Sequence, residues 1–205
     1  MHSFIAALLG ATFFTVAGYI GSLVAGIYVD RIVPLEDGPP QQRVPLAVLL
    51  GGCAVIGAVM ATHVVVQAQI LMIAIVCSAL VAIWITDAKR GIVPDAFTLG
   101  PLALLIVVAI WQHEWRVFFA AAIPFVPFAI TAMLSKGRGM GWGDVKLVAL
   151  GGIVLGPQIA VMAFALACFA AVLISYRGGR KKGAIAFAPY LACAIGLGIP
   201  FEVLH

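Results

Sequence analysis

Two aspartates stand where an apolar run meets a polar stretch: Asp87 closes one in IWITDAKRGIVPD, and Asp144 opens another in GMGWGDVKLV. Each has an ordinary explanation alone. Asp144 could cap a helix, accepting hydrogen bonds from its first N–H groups and meeting the positive dipole end. Asp87 could be interfacial and paired with Lys89 or Arg90, although an acid at a helix C-terminus meets the unfavourable end of the dipole. Together they offer more. Like charges at close range cannot both ionise, so two adjacent carboxyls share a proton. The ionised one can then act as base on water while the protonated one polarises a carbonyl, which hydrolyses a peptide without a metal or a covalent intermediate.

Gly141 and Gly143 flank Trp142 directly before Asp144. Glycines there permit positive φ and let a partner helix or substrate strand lie against the backbone. A phosphate cradle would instead need G-x-x-x-x-G-K-[ST] after a buried strand. Here Asp144 follows the last glycine, Lys146 comes two positions later, and no Ser or Thr follows, so a nucleotide site is poorly supported.

The elements that must position these residues are membrane helices. The chain has 205 residues, 64% hydrophobic and 10% charged, with a mean hydropathy of +1.17. Soluble domains carry about 25% charged residues. The apolar runs are long and lack the alternation of barrel strands. An all-α polytopic bundle results, with eight apolar segments at roughly 3–28, 44–62, 70–86, 96–111, 117–134, 147–157, 159–176 and 185–203. The sixth is short for a crossing unless it extends back to Asp144.

Alternate loops hold Arg31, Arg43, Lys89, Arg90, Lys136, Arg138, Lys146, Arg177, Arg180, Lys181 and Lys182, which are eleven of the twelve basic residues; Arg116 lies on the other side. This asymmetry puts those loops in the cytoplasm and both termini outside. It also explains the net charge of +4 without nucleic acid. The N-terminus lacks a basic n-region and a cleavage site, so it is expected to be a retained helix. One membrane domain, 1–205, is expected: residues 1–69 as a helical pair with a cytoplasmic linker at 29–43, and about 70–203 as the functional core.

Other residues have plain structural explanations. Cys53, Cys77, Cys168 and Cys193 form no C-x-x-C pair and suit small core positions. Gly18–Gly21–Gly26, Gly51–Gly52 and Gly151–Gly152 suit close helix approach. Trp84, Trp111, Trp115 and Trp142 fall near boundaries, as aromatic belts do. His2, His63, His113 and His205 fall on the outer side or at the ends.

At its two aspartate motifs the chain resembles the type IV prepilin peptidases, aspartic proteases of the GxGD class. The family's first motif is an aspartate, six residues, Pro-Asp or Pro-Asn, and then Leu-Thr-Leu; here stand Asp87, AKRGIV, Pro94, Asp95 and Ala96-Phe97-Thr98-Leu99. Its second, G-x-G-D-x-K-L, is matched at every fixed position by Gly141 through Leu147. Its last-helix pattern is similar to Ala186-Phe187-Ala188-Pro189-Tyr190-Leu191-Ala192, with Ala186 and Ala188 replacing a proline and a glycine. The resemblance covers about 70–203. It implies Asp87 and Asp144 as the catalytic pair, with Gly141, Gly143, Lys146, Pro94 and Asp95 as supporting positions. It further implies a bacterial or archaeal cytoplasmic-membrane endopeptidase. The substrate would be a prepilin or pseudopilin of the type IV pilus or type II secretion kind, cut between its basic leader and its hydrophobic helix.

Longer members carry an insertion after the first helix with paired C-x-x-C motifs, associated with N-methylation from S-adenosylmethionine. Arg31 to Arg43 is a thirteen-residue linker without cysteine. Zinc is therefore not expected, and S-adenosylmethionine would be needed only if methyl transfer were retained, against which the short linker argues. Two other classes stay open. A proton-coupled transporter would place an acid near the bilayer midplane and break paired helices in two related halves. A catalytically silent scaffold for pilus assembly would have no use for both aspartates.

Overall fold

The computed structural model describes residues 2–32, 46–63, 67–135, 140–177 and 187–204. Expectations for Arg43, Lys136, Arg138, Arg180, Lys181, Lys182, Ala186 and His205 lie outside these residues. All regular structure in the described part is α-helical: α1 His2–Ile32, α2 Leu46–His63, α3 Gln67–Arg90, α4 Asp95–Trp111, α5 Arg116–Leu134, α6 Trp142–Arg177 and α7 Ala188–Leu204. Of these, α1, α2, α3, α5 and α6 are long and apolar enough to cross a membrane, while α4 and α7 are shorter apolar helices. The chain is a multi-pass membrane protein.

Helix α3 is the hub. Half of its apolar stretch is buried within the protein, against about a fifth for α1, α2, α5 and α6. Its buried residues Val76, Leu80 and Ile83 join a core with Phe14, Met60, Leu147, Leu150, Phe164, Leu191 and Ile195. The outer faces of α1 and α5 stay apolar and exposed, for example Leu8, Leu9, Ile20, Phe119 and Ile130, as lipid contact requires.

Where α1 crosses α2, a Cβ on Gly10 would strike the Gly57 carbonyl, and one on Gly57 would strike that of Gly10. Neither was singled out in the sequence. Gly18, Gly21, Gly151 and Gly152 also meet neighbouring helices closely, whereas Gly26, Gly51 and Gly52 have nothing within 4 Å. For those three the expected close packing is corrected. The cysteines divide similarly: Cys53 and Cys77 are buried, Cys168 is partly buried, and Cys193 is exposed. An apolar lipid-facing surface accepts a cysteine as readily as a core does, which is why composition could not separate them.

The third segment, drawn at about 70–86 where hydropathy falls, continues as helix through Asp87, Ala88, Lys89 and Arg90. Nothing in that run breaks a helix until Gly91, whose φ of 65° forms a left-handed cap. Its N–H donates to the Asp87 carbonyl oxygen at 2.8 Å.

The expected sixth and seventh segments are both helical and form the two halves of α6, parted by a sharp break at Gly156 (φ 67°, ψ 167°) before Pro157. The two halves fold back on each other, since a Cβ on Gly151 would lie 2.6 Å from the Phe164 ring. Thirteen residues of straight helix would separate those positions by about 20 Å. The first half, Trp142 to Leu155, is itself only about 21 Å long at ~1.5 Å per residue. A cavity of about 490 Å³ is lined by residues that include His63, Gln112, Glu114 and Glu202. It lies at the end of the bundle opposite the two aspartates.

Candidate active site

Three helix ends meet at one end of the bundle: the last turn of α3, the first turn of α6 and the first residue of α7. Asp87 comes from the first of these, is 7% exposed, and its buried Oδ2 accepts no hydrogen bond. The expected pairing of Asp87 with Lys89 or Arg90 does not occur. The backbone amide of Ala188, which opens α7, faces the carboxyl instead. The start of α7 thus offsets the unfavourable dipole at the end of α3. A charged group within a membrane helix costs about 2.5–3.5 kcal/mol on insertion scales, so a buried carboxyl with an unpartnered oxygen is an unusual thing to keep.

Asp144 is the third residue of α6 and lies close enough to Asp87 for the two carboxyls to interact electrostatically. The helix geometry explains its orientation. Asp144 Oδ2 accepts the N–H of Gly141 at 3.3 Å, and Gly141's carbonyl accepts the Asp144 N–H at 3.2 Å. This is the reach-back half of a capping box, with an acid at the third position serving the cap residue. Asp144 therefore does cap its helix, and it does so while facing Asp87.

The supporting residues divide into those that shape the site and those that brace it. A Cβ on Gly143 would come 2.7 Å from the Val93 Cβ, so only glycine lets the α3–α4 connection lie against the start of α6. One on Gly141 would be 3.7 Å from Asp144 Oδ2, an ordinary contact. The positive-φ glycines among the described residues are Gly91 and Gly156. The expectation that Gly141 and Gly143 use positive φ is thus corrected: Gly143 is needed for clearance. Pro94 is buried and extended (φ −67°, ψ 135°) as the N-cap of α4. Asp95 begins α4, and Lys146 Nζ donates to its Oδ1 at 2.6 Å. That ion pair is partly exposed, with side chains 29% and 62% accessible, so it contributes no more than about 1 kcal/mol. Its consequence is positional, tying the start of α4 to the first turn of α6. Trp142 is half-exposed beside them.

Sequence inspection missed Val93, Gly91 and the Ala188 amide. Arg90, expected as a loop cation or a partner of Asp87, instead ends α3 one turn beyond Asp87, and its Nε is buried without a hydrogen-bond partner. Gly91 after two basic residues is a recognisable helix stop. The others depend on tertiary packing. Among the described residues, no three His, Cys, Asp or Glu side chains are grouped to hold a metal ion.

The chain is similar to known proteins over much of its length. The model of the type IV leader peptidase family matches residues 74–176, more than half of the chain and a span that holds both aspartates. A prepilin leader peptidase/N-methyltransferase of Burkholderia pseudomallei strain 1026b is 29% identical over 144 residues, covering 62% of this chain and 47% of that protein. One of Pseudomonas putida is 27% identical over 155 residues, covering 70% and 54%. Leader peptidase HopD of Escherichia coli is 30% identical over 130 residues, covering 57% of this chain and 83% of HopD. The chain thus spans about half the length of the two leader peptidase/N-methyltransferases. No solved structure matches it. Because that family model matches more than half of it, the chain belongs to the type IV leader peptidase family.

Proposed function

We propose that this protein is a membrane-embedded aspartic endopeptidase that removes the basic leader from prepilin-like proteins at the cytoplasmic face of the membrane. The observation that carries this reading is the meeting of Asp87 and Asp144: two carboxyls from different helices, electrostatically coupled, one of them buried with an unpartnered oxygen. The ionised carboxyl takes a proton from water, and the water oxygen bonds to the scissile carbonyl carbon. The protonated carboxyl gives its proton to the carbonyl oxygen. The resulting diol collapses as the C–N bond breaks and a proton passes to the departing amine. No metal or nucleotide enters these steps, and S-adenosylmethionine has no part in them.

Family membership and the names of the relatives support a prepilin-type leader as substrate. The basic-residue asymmetry supports a cytoplasmic active site, with eight crossings when the two halves of α6 count separately and with both termini outside. Such an enzyme at the membrane boundary meets its substrate where the basic leader ends and the lipid-embedded helix begins.

The test is co-expression with a tagged prepilin-type substrate. The wild-type chain is expected to shorten the substrate on an immunoblot. Asp87→Asn and Asp144→Asn, present in membranes at wild-type amounts, are each expected to leave it uncut. Processing by either variant would contradict the assignment.

A further inference from the structure

Two buried polar atoms at the end of α3 have no partner: Asp87 Oδ2, an acceptor, and Arg90 Nε, a donor. Leaving a buried polar group unpaired is costly, and more so when it is charged. Two of them within one turn of the same helix therefore call for an explanation.

Their placement supplies one. Val76, Leu80, Ile83, Asp87 and Arg90 follow one another at steps of four and three, so they form a single stripe along α3. Its first four members are 1%, 6%, 0% and 7% exposed. Arg90 thus extends, by one turn, the same inward face that carries Asp87. Lys146, the basic residue in the first turn of α6, is already engaged with Asp95. The unengaged buried donor of this face is the Arg90 Nε–H.

An unpaired acceptor and an unpaired donor about one turn apart match what an extended peptide backbone offers, alternating N–H and C=O groups. The side chains of a basic leader are unsuited to a guanidinium, whereas a carbonyl oxygen suits it well. We propose that Arg90 is a substrate-binding residue whose Nε–H donates to a main-chain carbonyl flanking the scissile bond, holding the segment extended across Asp87 and Asp144. This rests on the endopeptidase reading above. It adds a specificity element that follows backbone shape rather than side-chain identity.

The experiment uses the full-length enzyme in detergent or nanodiscs with a prepilin-type substrate, comparing wild type, Asp87→Asn, Arg90→Gln and Arg90→Lys. Lysine is the decisive replacement, because it keeps the charge but puts a methylene where the Nε–H stands. Arg90→Gln and Arg90→Lys are both expected to lose roughly ten- to a hundredfold in kcat/KM, the worth of one charge-assisted hydrogen bond. In the inactive Asp87→Asn background, adding Arg90→Lys is expected to weaken binding of intact substrate by a similar factor. If wild type cleaves, Asp87→Asn does not, and Arg90→Lys matches wild type in both kcat/KM and binding, the role of Arg90 is overturned while the endopeptidase reading stands. If wild type leaves the substrate uncut, the endopeptidase reading itself falls, and cleavage by Asp87→Asn would overturn the catalytic role of Asp87. Should Arg90→Gln fail to fold, Arg90→Lys decides alone.

Discussion

At the scale of residues, the site combines two acids with the clearances that let them meet. Gly143 and Gly141 make a sharp contrast. Gly143→Ala would drive a Cβ to 2.7 Å from Val93 Cβ, an atom fixed to the backbone, whereas Gly141→Ala reaches only ordinary contact. Overpacking of the first kind costs about 1–3 kcal/mol and here would displace Asp144 from Asp87. Gly143→Ala is therefore expected to lose at least about tenfold in kcat with protein levels maintained, and Gly141→Ala to stay near wild type; leader-cleavage kinetics check both. The pair of acids also sets a pH expectation. Activity needs one carboxyl ionised and one protonated. It should fall at low pH, where both are protonated, and again at higher pH, where both ionise. A pH–rate profile that is flat across the acidic range would argue against a shared proton. Both aspartates and both glycines were legible in the sequence because their types and spacing are local. Arg90's buried donor, Val93's contact and Ala188's amide were not, because each exists only once α3, α4, α6 and α7 have packed.

At the scale of elements, two glycines decide where the chain stops or turns. Gly91 ends α3 four residues after Asp87, so the acid lies within a helix and not in a loop. Gly156 folds α6 back on itself in a conformation open to glycine alone. The need for that reversal is visible in the chain's own geometry. Both α6 and α7 begin at the aspartate end, as Asp144 and Ala188 show, and so the chain must return within α6. Gly156→Leu would force a side chain into that backbone region at a cost of roughly 1–3 kcal/mol. The expected outcome is a lower melting temperature in detergent, with the kcat of the surviving folded enzyme unchanged. Hydropathy located the break between the expected sixth and seventh segments from Pro157. It could not show that the two halves fold back on each other, because that reversal depends on the conformation of Gly156 and on packing across the turn.

At the scale of the whole molecule, the fold is a bundle around α3 with the acids at one end and a cavity near Glu202 at the other. Composition alone made the membrane class legible, and lysine and arginine placement supports the proposed orientation. The identity of the hub was hidden, since which helix the others pack around is decided only by tertiary contacts. Topology reporters fused after Gly91 are expected to report the cytoplasm, and those fused after Glu114 the outer side; the reverse pattern would invert the proposed orientation. The central claim is that Asp87 and Asp144 act together to cut a leader from its helix. Intact-mass analysis of a purified prepilin-type substrate after incubation with wild type, Asp87→Asn and Asp144→Asn tests it most directly. The account predicts a single new N-terminus at the leader–helix junction from wild type and uncut substrate from both variants. A product from either variant, or a wild-type cut elsewhere in the substrate, would contradict it.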